Sequence, residues 1–231
     1  SNVGLRVIVV TGASRGLGRD ICERLVSQGI EVLGVSRNSH KASFDMLRCD
    51  VSSISHVKEL AKQLRNDGRN IDGLVNAAGV ASMNLALTTP LETSRRIVET
   101  NLLGTVYCSQ ALGPLLVRNK GGSVINFSTI AVALALSGEA VYAASKAGVE
   151  GFTRAFAREM SGFNVRVNCI APGPIATDLI RGVPEDQIKE IVSRQILPRQ
   201  FTPSDVSDLV ELLLDPRSKS ISGQVLSVGG A

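Results

Sequence analysis

The feature that most constrains this chain is its opening unit. An apolar, β-branched run from Leu5 to Val10 is broken by a glycine-rich turn, then followed by a helical pattern on Leu17, Ile21, Leu25 and Val26 that stops at Gly29, and by a second apolar run from Glu31 to Ser36. A strand that is apolar at consecutive positions leaves no face for water, and sheets covered on both faces are parallel sheets with helical crossovers. The alternation continues along the chain. Further strands are predicted ending near Cys49-Asp50 and over Ile71 to Val75, Ser123 to Phe127, Val165 to Ile170 and Gly223 to Val228. Between them lie predicted helices: one carrying Ile54, Val57, Leu60, Ala61 and Leu64 capped by Ser52 or Ser53, one from about Glu92 to Val117, and one running through Tyr142 to about Met160. Two more helical segments are predicted around Asp178 to Ile196 and Pro203 to Leu214. Strands that alternate with helices throughout imply an α/β fold, a doubly wound parallel sheet of about seven strands flanked by helices.

The 231 residues show no internal repeat and no linker-like composition shift, so a single domain over residues 1–231 is expected. Six of the eight prolines follow residue 170, which suggests a substrate flap at about 174–200. No apolar run approaches the length of a membrane span, and no signal-peptide pattern precedes the first strand; a cytoplasmic protein is the expectation. The four cysteines, Cys22, Cys49, Cys108 and Cys169, are scattered, which argues for reduced thiols and against zinc or a disulfide framework. The net charge of +4 comes from 25 basic residues interspersed with 21 acidic ones, and with 6 Phe, 2 Tyr and no Trp there is little to stack nucleic-acid bases. Neither nucleic acid nor membrane is an expected partner. The positive charge suits a phosphorylated cofactor or an acidic carrier.

Thr11-Gly12-Ala13-Ser14-Arg15-Gly16-Leu17-Gly18 sits between a buried strand and a helix start, where missing side chains let backbone N–H groups approach a pyrophosphate at the positive end of the helix. The spacing is neither the dinucleotide fingerprint G-x-G-x-x-G nor a P-loop. Two arginines bear on the cofactor: Arg15 within the loop, and Arg37 just after the second strand, where an acidic residue would otherwise hold the adenosine ribose. Ser36-Arg37 offers a hydroxyl and a cation instead, a match for a 2′-phosphate and so for NADP(H). Asp50, after the third strand, can accept from an adenine amino group while Val51 packs on the ring. Asn76-Ala77-Ala78-Gly79, after the fourth, permits close backbone approach. Each of these segments also reads as an Asx cap or a tight turn.

Tyr142 and Lys146 lie four residues apart in an Ala-rich run, so a helix places both on one face, where the cation would lower the phenol's pKa and make it a proton donor or acceptor near neutral pH. Such a pair alone is common. Two His and no carboxylate cluster leave little for hydrolytic triads or metal sites, and His40 and His56 lie off the inferred site.

Taken together, the glycine loop, Asp50, the Asn76 to Gly79 segment, Asn101, Tyr142 with Lys146, and Pro172-Gly173 with Thr177 resemble the short-chain dehydrogenase/reductase family over essentially the whole chain, with a Rossmann fold. Within it the chain looks most like the 3-oxoacyl-acyl-carrier-protein reductases. The resemblance implies that Tyr142 protonates the carbonyl oxygen as hydride arrives, that Lys146 lowers the tyrosine pKa and binds the nicotinamide ribose, and that Asn101 holds a water for proton resupply. It adds Pro172, Gly173, Ile175 and Thr177 to the cofactor contacts and implies a homotetramer.

The similar reductases place a catalytic hydroxyl thirteen positions before the tyrosine, here Thr129, while Ser128 beside it packs or bonds locally because strand side chains alternate. The chain departs from the family in a short Arg37 to Asp50 connection, in Gly229 where Asp is frequent, and in Phe163 where a carrier-docking basic residue is expected, with Arg118 and Lys120 near the other docking position. The uncharged stretch Ala131 to Leu136, with Leu179, Ile180, Val183, Ile188, Ile191 and Val192, is expected to border an apolar substrate channel. The implied activity is reduction of a 3-oxoacyl thioester on acyl carrier protein or coenzyme A by NADPH. The alternatives are dehydrogenation of another secondary alcohol (sugar, steroid or polyketide) and a non-catalytic redox sensor.

Overall fold

The structure, a computed structural model, describes residues 7–38, 41–176 and 183–231. Seven strands form one parallel sheet: β1 (Val7–Thr11), β2 (Glu31–Ser36), β3 (Asp45–Arg48), β4 (Gly73–Asn76), β5 (Gly122–Phe127), β6 (Val165–Pro172) and β7 (Val225–Val228), in the order β3-β2-β1-β4-β5-β6-β7. The chain first builds outward from β1 to β3 and then returns to the other side of β1. The order reverses between β1 and β4, which pair through Ile8↔Gly73 to Thr11↔Asn76. A crevice for a ligand opens at such a reversal, outside the C-terminal strand ends.

The apolar runs expected to be buried on both faces are so. On one face Val9, Leu33, Leu74 and Val124 pack under α2 (Ile54–Asn66), α4 (Gly104–Arg118) and α6 (Ala140–Met160). On the other, Ile8, Val10, Val32 and Ile125 pack under α1 (Gly16–Ser27) and α8 (Pro203–Leu214). Burying one such side chain contributes about 1.5–3 kcal/mol. Of the two candidate caps of α2, Ser53 is the one used; its side chain accepts from His56 N–H. A capping box of Thr202 and Asp205, with Pro203 in the first turn, starts α8.

The helix predicted from Glu92 to Val117 is three pieces: α3 (Leu91–Val98), a π turn (Glu99–Leu103) and α4. Its apolar spacing runs on through the π turn, so periodicity alone does not show the break. A short α5 (Ala131–Leu134) precedes α6, and α7 (Glu185–Ser193) occupies part of the predicted flap. Of the expected elements, the start of the first strand, His40, Asp178 and the flap residues Leu179 and Ile180 lie outside the described residues. No helix among the described residues is long and apolar enough to cross a membrane.

Candidate active site

β1 hands directly to the glycine loop. Gly12 has φ +73, and a Cβ there would stand 2.8–2.9 Å from the backbone of Ala77 and Ala78, so only glycine lets the loop lie against the segment after β4. Thr11 fastens the two: its hydroxyl accepts from Ala78 N–H at 3.1 Å. Gly18 is equally confined, since an added Cβ would lie 2.4 Å from the Gly12 carbonyl oxygen. Arg15 is the N-cap of α1 without capping it, and the first turn holds no acidic residue. The first N–H groups of α1 therefore lack a side-chain cap, and uncapped N–H groups at a helix start are suited to an anion. Arg15 and Arg37 are both exposed, and neither has an ion-pair or hydrogen-bond partner for its guanidinium among the described residues.

Other expected contacts are arranged differently. Ser36 is buried and its hydroxyl donates to the carbonyl of Asn38, shaping the loop after β2. Asp50 Oδ1 accepts from Ser52 N–H at 3.0 Å and Ser52 Oγ–H at 2.7 Å, an Asx turn that starts α2 while the second carboxylate oxygen stays available. Val51, expected on an adenine ring, is only 7% exposed and fills the space left by the missing side chain of Gly104. His56 is nearer the site than expected, because its Nδ1 accepts from Asp50 N–H at 3.4 Å. Asn76 turns its side chain inward, donating to Ser109 Oγ at 3.1 Å and Asn126 Oδ1 at 2.9 Å, while Asn126 passes on to Thr153 Oγ1 at 2.9 Å. This buried ladder ties β4 and β5 to α4 and α6, and the sequence reading missed Asn126, Ser109 and Thr153.

At the other end of the crevice, α6 presents Tyr142 and Lys146 from one face, 8% and 5% exposed. Lys146 Nζ donates to the Phe127 carbonyl at the end of β5 at 2.9 Å. Burial lowers the lysine from its ordinary 10.5 to about 8, with a smaller upward influence from Cys169. Burial moves Tyr142 the other way: desolvation raises the phenol, Glu139 raises it further, and the Thr129 hydroxyl lowers it in part. The phenol is therefore raised and not lowered as expected, because desolvation is the largest influence on it.

The two adjacent hydroxyls after β5 have different partners. Ser128 also lines the cavity of Tyr142, but its Oγ–H donates to Glu150 Oε1 at 2.7 Å. Thr129 Oγ1 accepts from Ala131 N–H at 3.2 Å, and its hydroxyl is near enough to Tyr142 to lower the phenol in part. Asn101, inside the π turn, uses its side chain on the loop after β4: Oδ1 accepts from Val80 N–H at 2.8 Å and Nδ2 donates to Val80 O at 2.9 Å and to Ser145 Oγ at 3.1 Å. That loop includes Gly79, where an added Cβ would approach Lys146 Nζ to 3.6 Å. The side chain of Asn101 therefore holds the loop, and a bound water would have to use another group of the residue. π turns of this kind cluster at functional sites.

Thr129 and Tyr142 open onto a cavity of about 120 Å³ walled by Leu17, Ile130, Ala131, Leu136, Pro172, Gly173 and Ile175. Val183, Ile188 and Ile191 close it from the flap side as expected, whereas Val192 does not reach it. Glu139 also lines it, a charge the sequence reading passed over; the signal available was that it is the lone charged residue between Thr129 and Tyr142. Ile175 bridges to Phe201, and Gly229, with φ +93, lies against Gln195 Oε1, which explains the absence of a larger residue there. Thr177 lies outside the described residues, and no group of His, Cys, Asp and Glu able to hold a metal occurs among them.

A crevice at the strand-order reversal, an anion-ready helix start and a buried Tyr/Lys pair define an oxidoreductase of the nicotinamide-dependent kind. The chain belongs to the short-chain dehydrogenase/reductase family: a family model described as Enoyl-(Acyl carrier protein) reductase matches residues 12–230. It is 33% identical over 233 residues to Carbonyl reductase family member 4 of Xenopus tropicalis, covering 97% of each chain. It is 32% identical over 236 residues to the 3-oxoacyl-(acyl-carrier-protein) reductase FabG of Staphylococcus aureus, covering 96% of each. Among solved structures, the ligand-free aldohexose dehydrogenase of Thermoplasma acidophilum matches with a TM-score of 0.89 at 30% identity, over 100% of this chain and 95% of that one. The fold binds a nicotinamide cofactor, NAD or NADP. The residues fit that group: Gly12 and Gly18 let the loop lie flush on the backbone beside it, and α1 begins with N–H donors that no side chain caps, as a pyrophosphate requires.

Proposed function

We propose that the protein is an NADPH-dependent reductase that converts a ketone to a secondary alcohol, with a 3-oxoacyl thioester on acyl carrier protein or coenzyme A as substrate. The observation that carries the reading is that Thr129 and Tyr142 share the wall of an apolar cavity, with Lys146 buried on the same helix face. The cofactor, when bound, supplies hydride. The raised phenol pKa keeps Tyr142 protonated at neutral pH, so it is ready to give its proton to the carbonyl oxygen as charge develops there. Thr129 donates a hydrogen bond to that same oxygen. Lys146, still predominantly cationic at neutral pH, favours the phenolate left behind. Asn101 holds the Val80 segment, and through it Gly79, beside Lys146.

The preference for NADPH rests on Arg15 and Arg37, two exposed guanidiniums available for a 2′-phosphate at the end of β2. The apolar cavity walls suit an acyl chain, and the similarity to a carrier-protein reductase points the same way. Docking of a carrier would differ from the expected pattern, since Arg118 is engaged by Asn70 and the Arg69 carbonyl and Phe163 stands half exposed. The reading includes a flap at about 174–200 and a homotetramer in the cytoplasm. Leu85, Leu87 and Leu91, at 60, 100 and 84% exposed, are apolar surface for subunit contacts. Light scattering that returned a monomer would remove that part of the reading.

The test is NADPH oxidation with acetoacetyl thioesters and a panel of other ketones. Wild-type turnover should fall by about 10³-fold or more in Tyr142→Phe. Undiminished activity in that variant sinks the mechanism. Tight NADPH binding with no turnover across the panel would point instead to a cofactor-binding sensor.

A further inference from the structure

One carboxylate interrupts the apolar wall of the cavity, and no side chain among the described residues pairs with it. Glu139 immediately precedes α6 and lines the cavity with Thr129, Ile130, Leu136 and Tyr142. A residue at this position ordinarily turns a side-chain oxygen onto the free N–H groups of the first turn. Glu139 makes no such bond, and among the described residues its carboxylate has neither a hydrogen-bond nor an ion-pair partner. It is half-buried and loses hydration without compensation, which raises its pKa, and it is close enough to Tyr142 for its charge to raise the phenol as well. A ligand bringing a hydrogen-bond donor would restore what the carboxylate lacks. A ligand bringing a second anion would meet repulsion in a site of low dielectric.

We propose that Glu139 is a specificity-determining residue of the substrate cavity, accepting a hydrogen bond from a hydroxyl or amide N–H on the substrate and repelling a carboxylate at the same place. This rests on the reading that the cavity is where a ketone is reduced. The donor has two possible sources, a hydroxyl beside the carbonyl or the amide N–H of a pantetheine-like thioester arm. A site built around a donor discriminates strongly against the analogue that lacks it, because its own polar group is then left unpaired.

The experiment compares kcat/KM at saturating NADPH within two matched pairs: a 2-hydroxy ketone and its deoxy analogue, and a 3-oxoacyl N-acetylcysteamine thioester and the S-alkyl thioester lacking the amide. Wild type should favour the donor-bearing member of at least one pair by about 10- to 100-fold, and the pair that shows it identifies the source. Glu139→Ala and Glu139→Met should both reduce that ratio to about threefold or less, whereas Glu139→Gln, whose amide oxygen still accepts, should retain part of it. Two variants without an acceptor guard against a folding defect in either. A loss that acts only through the charge felt by Tyr142 would scale both members of a pair alike, so the ratio isolates recognition. No preference in either pair, or a preference that survives in both acceptor-free variants, overturns the proposal. If wild type reduces none of the four compounds the reductase reading fails, and the same ratios are then measured as dissociation constants by calorimetry with NADPH present, where equal affinities within both pairs overturn the role of Glu139.

Discussion

Ser128 gives its hydroxyl hydrogen to Glu150 at 2.7 Å, although it stands next to Thr129, which shares the cavity wall with Tyr142. Glu150 belongs to α6, so the bond fastens the end of β5 to the helix that carries Tyr142 and Lys146. Ser128 and Thr129 therefore have separable roles. Ser128→Ala should cost stability, about 1–3 kcal/mol for a part-buried bond to a charged acceptor, with a small effect on turnover. Thr129→Ala should lower kcat by about 10²-fold, and Thr129→Ser should recover much of it. Steady-state kinetics beside urea melts of the three variants check this, and a larger kinetic loss from Ser128→Ala would exchange the two roles.

Lys146 predicts a pH dependence of known sign. Its folded pKa of about 8 lies below the ordinary 10.5, so the folded state gives up this proton first as pH rises. Below about 8 both states hold it and the buried charge is a constant penalty. Between about 8 and 10.5 the unfolded chain binds more protons than the folded one, and this contribution to stability rises with pH. Lys146→Met removes the titration while leaving the other groups common to both proteins. Its stability relative to wild type should fall by about 2 kcal/mol between pH 7 and pH 9.5. Chemical denaturation of both proteins at the two pH values measures the difference, and a constant difference would show that the lysine titrates normally.

Arg37 carries the cofactor preference. Its guanidinium has no partner among the described residues, so replacing it leaves no protein group uncompensated. Arg37→Asp should raise the KM for NADPH by about 10- to 100-fold through lost pairing and new repulsion, while the KM for NADH stays level or falls. An unchanged NADPH to NADH ratio would remove the argument for NADP.

What the sequence disclosed about this fold was local. Val9, Val10, Val32 and Leu33 announce buried parallel strands because each apolar neighbour is itself the signal, and the glycines of residues 12–18 mark a turn wherever the chain places it. What remained hidden depends on partners remote in the chain. Asn101 looks like any helix-interior polar residue until the Val80 backbone appears beside it, and Asn76 reads as a loop-opening residue until Asn126 in the neighbouring strand turns it inward. Val51 was expected on a ligand because nothing near it in sequence reveals the gap at Gly104. Glu139 was overlooked for the same reason: only the folded cavity brings it to one wall with Thr129, with no partner among the described residues. The raised phenol of Tyr142 is a burial effect, and spacing along a helix reports charge neighbours but not depth.

Gly12 and Gly29 separate backbone strain from close approach. Both have left-handed φ, +73 and +76, so replacement by Ala at either should cost about 1 kcal/mol through the Cβ alone. Around Gly29, at the end of α1, an added Cβ would meet nothing within 4 Å, so the cost should stop there. At Gly12 the Cβ would stand 2.8 Å from Ala78 Cα and 2.9 Å from the Ala77 carbonyl oxygen, forcing β1 and β4 apart where the crevice opens. Gly12→Ala should therefore lose several-fold or more in NADPH affinity beyond its loss of stability, while Gly29→Ala keeps wild-type affinity. Melting temperatures and cofactor titrations on the two variants decide it: equal affinity losses would mean that the strained turn, and not the contact with the Ala77-Ala78 backbone, governs the site.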